Sequence, residues 1–233
     1  DVFRIQYSEN DRHMTTLPTL KTAPDLVDQV YRTLLDAIST GAMAPGSRVT
    51  QEDIATRLGV SRQPVLQALR ELKKDGFVVD AKGRGVLVTP LDPDWMRKMY
   101  QVRGALDALA ARLAAQRCAV IPERLIAQGR KAALGRDVQA MIDADVAFHH
   151  AIYEASQNPL IAQTAGHHWQ HVRRVMGAVL QESGQRDTVW DEHAAIAKAI
   201  AAGDVAQAET LVAGHGERAG NLMVEKLSMA SAA

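Results

Sequence analysis

Four residues in the second half of the chain have the types and the spacing of a metal site. Asp145 and His149 are four positions apart, so on a helix both side chains lie on one face and can reach one ion. His193 and His215, in later predicted helices, add two imidazoles. One carboxylate and three imidazoles favour Zn²⁺, with Ni²⁺ and Mn²⁺ as alternatives, and can leave coordination positions open to water or to a ligand carboxylate.

Other histidines compete for this role. The chain has eight histidines, and His167 and His171 are also four positions apart. His150 and His168 are further alternatives. Because a single histidine is more often a surface residue or a hydrogen-bonded core residue than a ligand, the pattern by itself leaves the ligand set open.

A second group of polar residues begins a short predicted helix in the first third of the chain. In a helix-turn-helix the second helix enters the major groove of DNA, and its first residues face the base edges. Here those residues are Ser61, Arg62 and Gln63. The guanidinium of Arg62 can bind guanine through two hydrogen bonds, while Ser61 and the backbone N–H groups at the helix start can bind phosphate.

The elements that position these three residues follow from periodicity and from capping signals. Helices are predicted at residues 25–40, 51–58 and 61–75, and strands at residues 77–80 and 86–88. Thr50 is a suitable N-cap for the second helix, and Gly59 and Gly76 end the second and third helices. Helix, turn, helix and a two-stranded hairpin is the order of a winged helix-turn-helix.

The hairpin would be the wing of this motif. Gly83 and Gly85 would let its backbone approach DNA closely, and Arg84 between them can reach a minor groove or a phosphate. Residues 57–84 carry seven Lys or Arg against three Asp or Glu, although the chain as a whole has a net charge of zero. A local basic patch is compatible with DNA binding but does not establish it.

The rest of the chain is predicted to be an antiparallel six-helix bundle. Its helices are expected near residues 94–118, 122–132, 137–156, 159–183, 187–202 and 204–227. The sequence is thus mainly α and divides into a flexible N-terminal tail (1–22), a winged helix-turn-helix (23–90), a linker (91–94) and an all-helical domain (95–230).

Composition limits the class of protein. With 47% hydrophobic and 23% charged residues the chain is expected to be globular, and the low aromatic content of 4% favours helices over sheets. Cys118 is the only cysteine and cannot form an intramolecular disulfide, as expected in a reducing cytoplasm. No apolar run approaches the roughly 20 residues that span a bilayer, so no membrane partner is expected.

The first part of the chain carries an extended motif. It reads Gly41-x-x-x-Pro45-Gly46-x-Arg48-Val49, then Ile54-Ala55-x-x-Leu58-Gly59-Val60-Ser61-Arg62-Gln63-Pro64-Val65, then Ala68-Leu69-x-x-Leu72-x-x-Asp75-Gly76. This motif resembles the N-terminal domain of the GntR family of bacterial regulators. The resemblance implies DNA contacts at Arg48, Ser61, Arg62 and the wing glycines, and Thr50 is included among the predicted contacts.

The motif departs from the family at one functional position. Family members usually have Arg-Glu after Pro-Val, and that arginine often contacts the operator, whereas this chain has Leu66-Gln67. Gln67 or Arg70 is therefore predicted to supply a substitute contact.

The second part of the chain also resembles a known domain. Its motifs are Asp145-x-x-Phe148-His149-x-x-Ile152, Ser156-x-Asn158-Pro159, Glu192-His193-x-x-Ile196-x-x-Ala199-Ile200-x-x-Gly203-Asp204-x-x-x-Ala208 and His215. They resemble the FadR-type C-terminal ligand-binding domain, the FCD domain. Many members bind a metal through an Asp and three His, which implies those roles for Asp145, His149, His193 and His215.

The same resemblance implies an effector anchor in the first bundle helix. Family members usually carry Arg and then Glu where this chain has Arg103 and Asp107, and the arginine often binds an effector carboxylate. A guanidinium matches a carboxylate through paired hydrogen bonds. Pairing of Arg103 with Asp107 alone is the alternative.

Together these features predict a non-enzymatic, homodimeric regulator. It would repress a metabolic operon by binding double-stranded operator DNA and would respond to a small carboxylic acid at the metal site. One alternative is a metal-stabilised dimerisation domain without an effector. Another is a metal-dependent hydrolase or lyase, for which Glu154 or Glu192 would be the base.

Overall fold

We describe a computed structural model of the chain at residues 26–135, 137–180 and 187–232. The described helices are α1 (Leu26–Ser39), α2 (Gln51–Leu58), α3 (Arg62–Lys74), α4 (Pro93–Ala115), α5 (Glu123–Gly135), α6 (Val138–Ala155), α7 (Pro159–Val179), α8 (Asp187–Ala201) and α9 (Val205–Ala232). The described strands are β1 (Arg48–Val49), β2 (Val78–Asp80) and β3 (Val86–Val88). The predicted fold class, a winged helix-turn-helix followed by a six-helix bundle, is confirmed. The predicted N-terminal tail (1–22) and the predicted end of the fourth bundle helix at 183 lie outside the described residues.

The head, formed by α1 to β3, has its own small core. Val30, Leu34 and Ile38 on α1 pack against Val65 and Leu72 on α3. Both predicted ends of α2 are present, and Gly59 forms the turn between α2 and α3. The N–H of Asp53 donates to Thr50 Oγ1 over 3.2 Å, and Gly59 ends α2 in the left-handed region with a φ of 65°.

Three local features differ from the predictions. A third strand, β1, pairs Arg48 with Leu87 and Val49 with Val86, so the wing has the strand order β1-β3-β2. A strand of two residues is too short to show alternation in the sequence. The third helix begins at Arg62 and not at Ser61, which precedes it without a capping hydrogen bond from its side chain. Helix α4 begins at Pro93, within the predicted linker.

The six helices of the bundle enclose a larger core. Helices α4 and α9 make the most extensive pairing. Small side chains such as Ala110 and Ala114 on α4 let the helices approach closely, and Trp169 and Phe148 fill the centre. This packing brings α4, α6, α8 and α9 around one point.

The head contacts the bundle mainly through α7. His171 Nε2 donates a hydrogen bond to the carbonyl oxygen of Asp75, at the end of α3, over 3.0 Å. Its ring stacks on Phe77 with a centroid distance of 4.0 Å, and Trp95 approaches its other side. The helix predicted to read DNA is thereby tied at its far end to the bundle.

Candidate metal centre and nucleic-acid interface

The structure brings Asp145, His149, His193 and His215 together in the bundle interior. Each offers a ligand atom, and these atoms all lie within 4.8 Å of one another. Asp145 and His149 share one face of α6, as their spacing predicts, while α8 and α9 supply the other two. His193 Nε2 lies 3.4 Å from Asp145 Oδ1 and 3.3 Å from His215 Nε2.

The two distances from His193 Nε2 fit a tetrahedral ion. Ligand bonds of about 2.1 Å to Zn²⁺ place neighbouring ligand atoms about 3.4 Å apart in a tetrahedron. The donor set of three imidazole nitrogens and one carboxylate oxygen is also one that Zn²⁺ or Ni²⁺ accepts. The four residues could therefore hold a divalent metal without rearrangement of the helices.

Aromatic packing orients the ring of His193. Phe148 stacks on it with a centroid distance of 4.1 Å, and Trp190 meets it edge-on at 4.7 Å. Trp190 in turn lies against Gly129 on α5, where an added Cβ would come within 2.0 Å of the indole ring. Glycine at this position thus lets Trp190 support the ligand.

Burial keeps two of the histidines in the form that binds metal. The pKa of His149 and that of His193 lie well below the ordinary value, first because burial disfavours the charged ring and then because cations such as Arg103 are near. A neutral imidazole offers a lone pair. Burial raises the pKa of Asp145, whose charge a bound cation would stabilise.

A carboxylate outside the cluster orients His215. His215 Nδ1 donates to Glu192 Oε2 over 2.8 Å, and Arg218 Nε donates to Glu192 Oε1 over 2.7 Å. The hydrogen bond from His215, supported by that from Arg218, lowers the pKa of Glu192 to about 2. With its proton on Nδ1, His215 presents the Nε2 lone pair toward the other ligands.

Arg103 lies beside the cluster and is held on several sides. Its side chain is 3% exposed, its Nη2 donates to His149 Nε2 over 3.3 Å, and its Nε lies 3.3 Å from Asp107 Oδ2. The guanidinium sits over the face of Trp169 at 3.8 Å. Tyr153 donates a hydrogen bond to Asp107. Arg103 thus does pair with Asp107, and it also faces the predicted metal ligands.

A cavity of about 280 Å³ opens next to this cluster. Its charged or polar wall includes Arg103, Asp145 and His215. Its apolar wall includes Met141, Met176, Val189, Trp190, Leu222 and Met223. The volume is near the lower end of the roughly 300–1,000 Å³ of small-molecule sites, so this cavity could hold a small acid with its carboxylate toward Arg103.

The predicted DNA-reading residues of α3 lie on the surface. Those with exposed side chains are Ser61, Arg62, Gln63, Gln67 and Arg70. Among the described residues, one ion pair joins this group to the rest of the head: Arg62 Nη2 lies 2.6 Å from Glu52 Oε1. This pair is open to water, so Arg62 can exchange its partner for a base or a phosphate.

The structure gives a different physical reason for one wing glycine. Gly85 has a φ of 90°, and a Cβ there would lie 2.3 Å from the carbonyl oxygen of Val49 on β1. Glycine is therefore required at this position by the pairing of β1 with β3, whether or not DNA is present. Gly83, with a φ of 94°, lies near the guanidinium of Arg48 and is exposed.

The other predicted contacts are partly engaged within the head. Arg48 Nε donates to the carbonyl oxygen of Arg84 over 2.9 Å, which ties the wing tip to β1. The hydroxyl of Thr50 caps α2 and also bonds the carboxylate of Asp53. Arg48 and Arg84 are exposed, whereas Thr50 is half-buried.

Of the competing histidines, none joins the cluster. His171 lies at the contact between head and bundle, and His167 is exposed on α7. Glu192 contacts a predicted metal ligand, and the sequence pattern predicts no such role for it. Its contact with His215 joins two helices across 23 positions, and no local pattern signals such a pair.

Comparisons with known proteins cover both parts of the chain. The family model of bacterial regulatory proteins of the gntR family matches residues 26–88, and the model of the FCD domain matches residues 98–218. Within the described residues, no helix is long and apolar enough to cross a membrane.

Several relatives align over most of their length. A transcriptional regulator of the helix-turn-helix type from an unstable DNA locus of Streptomyces ambofaciens is 28% identical over 192 residues, 80% of each chain. A protein of Escherichia coli strain K12, described as a candidate regulator of the L-lactate dehydrogenase operon, is 29% identical over 87% of this chain and 86% of its own. The solved structure of Escherichia coli McbR/YncC has the same fold, with a TM-score of 0.73 at 19% identity over 88% of this chain and 99% of its own.

Proposed function

The chain belongs to the GntR family of bacterial regulators with an FCD domain, and from this premise we propose that it represses a metabolic operon in response to a small carboxylic acid. Its relatives and fold neighbours are transcriptional regulators, which confirms that the chain is not an enzyme. The observation that carries the proposal is the position of Arg103, buried at the wall of the bundle cavity and next to the convergent Asp145 and histidine side chains.

In this proposal the four convergent residues hold a divalent metal, with Zn²⁺ favoured over Ni²⁺ and Mn²⁺. The ion would supply an open coordination position for an oxygen of the effector. Glu192 keeps the proton of His215 on Nδ1, and burial keeps His149 and His193 neutral. Metal binding is favoured at His149 and His193 because these two rings do not have to lose a proton first.

Arg103 is proposed to bind the effector carboxylate. A guanidinium binds a carboxylate through two parallel hydrogen bonds, and burial strengthens them because water is excluded. The apolar wall of the cavity would hold the carbon body of the acid. Since one relative is described as a candidate regulator of an L-lactate dehydrogenase operon, L-lactate belongs in the first set of acids to test.

The head is proposed to read operator DNA as part of a homodimer. Two copies related by a two-fold axis would place two α3 helices on the half-sites of a near-palindrome. Ser61, Arg62 and Gln63 would face the groove. Gln67 or Arg70 would replace the DNA contact of the arginine that family members usually have and that this chain lacks.

Helix α7 offers a route from the effector to the head. Trp169 lies under Arg103, and His171, two residues further along α7, contacts the end of α3. An effector that draws Arg103 toward the cavity would change the packing of Trp169, and a shift of α7 would then reach α3. The effector would alter DNA affinity by favouring one of the two arrangements.

The test uses the full chain, zinc-loaded or treated with a chelator, and a fluorescent fragment from upstream of its own gene. We expect specific binding of that fragment, and at least one acid in a panel that includes L-lactate, citrate and hexanoate should weaken this binding only when metal is present. In Arg103→Met the acid should lose its effect, while Arg97→Met, which removes an exposed arginine of the same helix, should respond as the wild type does.

Three outcomes would contradict the proposal in distinct ways. Equal affinity for random DNA would exclude operator recognition. Operator binding that no acid changes, with or without metal, would favour the metal-stabilised dimerisation domain. A full response in Arg103→Met would remove Arg103 from the effector site.

A further inference from the structure

A second cavity, of about 270 Å³, lies at the junction of the head and the bundle. The end of α3, strand β2, the segment before α4, α4 itself and α7 all contribute to its wall. It shares no lining residue with the cavity beside Arg103. The apolar side chains around it are Val79, Leu91, Trp95, Met96 and Val175.

Arg174 of α7 lines this junction cavity and is a buried charged residue in a mainly apolar wall. It is 5% exposed, and burial is the cause of its lowered pKa, with no described carboxylate acting against it. One terminal nitrogen donates to the carbonyl oxygen of Thr89. Its Nε is buried and has no hydrogen-bond partner among the described residues.

Burial of this cation is costly because no described side chain neutralises its charge. Its desolvation lowers the pKa of Arg174 to about 10, and no neighbouring anion offsets that effect. Arg103 shows the opposite balance, since the charge of Asp107 raises its pKa despite burial. A buried arginine without a counter-ion among the described residues points to an anion that these residues do not supply.

A second unsatisfied group lines the same cavity. The hydroxyl oxygen of Thr89 is buried and, among the described residues, has no hydrogen-bond partner. Buried polar atoms are nearly always bonded to protein, ordered water or a ligand, and one ligand in this cavity would satisfy both of these atoms. A carboxylate can accept from a guanidinium N–H and from a hydroxyl at the same time.

We propose that the junction cavity binds a small monocarboxylate with an apolar body, whose oxygens accept hydrogen bonds from Arg174 Nε and the Thr89 hydroxyl. The carbon body would lie against Trp95, Met96 and Val175. Asp92 also lines the cavity and would repel a second carboxylate of the ligand. The proposed ligand therefore carries one carboxylate. This site is additional to the metal-linked effector site.

Such a ligand would act on the head directly. Gly76 and Val79 of the head and Val175 of the bundle lie on its wall, so the ligand would favour the arrangement in which both parts enclose it. No change in the metal site would be needed.

The experiment uses 4-bromobenzoate and the full chain. Crystals grown with the acid would be measured for the anomalous signal of bromine, and affinity would be measured by titration calorimetry with zinc and again with EDTA. We expect a bromine peak in the junction cavity and binding that persists in EDTA and in Arg103→Met. Arg174→Met should weaken this binding at least tenfold, Thr89→Val should weaken it a few-fold, and Arg173→Met, its neighbour on α7, should leave it unchanged.

Opposite results would overturn the inference. Water alone between Arg174 and Thr89 at millimolar acid, or unchanged affinity in Arg174→Met, would show that Arg174 only holds the Thr89 carbonyl. Bromine in the cavity beside Arg103 alone would overturn the junction site and leave the metal-linked effector site standing. If Arg174→Met fails to fold, Thr89→Val and the charge-retaining Arg174→Lys decide between these results, because each should still weaken a carboxylate held at this cavity.

Discussion

The head and the bundle each contain an arginine paired with a carboxylate, in opposite surroundings. Arg62 and Glu52 in the head have side chains that are 67% and 69% exposed, whereas Arg103 and Asp107 in the bundle are 3% exposed each. Water screens the first pair and lets it exchange partners, while the second pair is enclosed by aromatic rings. Exposure thus leaves Arg62 free to change its partner, whereas burial fixes Arg103 in place.

The largest difference between the two pairs should appear in stability. Asp107→Ala leaves the buried charge of Arg103 unpaired and removes the acceptor of Tyr153, so the free energy of unfolding should fall by about 3–5 kcal/mol. Glu52→Ala, the matched change in the head, should cost less than about 1 kcal/mol. Urea unfolding of both variants measures this contrast, and equal losses would show that burial does not separate the two pairs.

Metal affinity tests the hydrogen bond from His215 to Glu192, which lies just outside the cluster of predicted metal ligands. Glu192→Gln removes the charged acceptor of His215 Nδ1 and keeps the shape of the side chain. Such outer contacts typically change metal affinity by about 10–100-fold, and we expect a loss of that size for Zn²⁺ in a competition assay with a chromogenic chelator. Glu209→Gln, on the same helix as His215 but paired with Arg112, is the control and should retain wild-type affinity.

The affinity for DNA tests the exposed arginine of the head, Arg62. Arg62→Ala should weaken binding of the upstream fragment by about 1–3 kcal/mol, the range for one bidentate contact to a base. Its unfolding free energy should stay within about 1 kcal/mol of the wild type, because the lost ion pair is exposed. Fluorescence anisotropy and urea unfolding measure the two quantities. Arg97→Ala, an exposed arginine of the bundle, should change neither.

Another effect concerns the contact between the two regions and depends on pH. Burial lowers the pKa of His171 to about 4, below its ordinary value of 6.5, so the folded state resists protonation. The contribution of neutral His171 to stability is complete above pH 6.5 and is lost as the pH falls toward 4. At pH 5 this loss is about 2 kcal/mol.

The variant His171→Gln keeps a donor for the Asp75 carbonyl and cannot be protonated in this range. We therefore expect its stability to decline less than that of the wild type between pH 7 and pH 5, as measured by thermal unfolding. His167→Gln, an exposed neighbour on α7, should decline as steeply as the wild type. Parallel curves for His171→Gln and the wild type would exclude His171 from the acid sensitivity.

Much of the fold could be predicted because its signals are local. Thr50 and Gly59 specify the ends of α2 through bonds within a few residues, and apolar spacing marks the buried faces of α1 and α3. Strand β1 could not be predicted in this way, since its two residues form a strand only by pairing with β3, nearly forty positions later.

The candidate site also combines local features that could be predicted with long-range contacts that could not. The spacing of Asp145 and His149 predicts a shared helix face, and resemblance to the FCD domain implies His193 and His215 as their partners. No pattern in the chain indicated that Glu192 would orient His215, or that Arg174 would be buried at the junction without a carboxylate. These arrangements join helices through contacts between residues far apart in the sequence.

By itself, the sequence determined the order of helices and turns, the exposed polar face of α3 and the residue types available for a metal. Capping, helical periodicity and glycine conformation act over a few residues, and they need no partner from elsewhere in the chain. Tertiary structure alone decided which side chains meet and which charges lose their water, because distance and burial depend on how separate helices pack. The convergence of Asp145 with three histidines, the enclosed Arg103–Asp107 pair and the burial of Arg174 all depend on that packing.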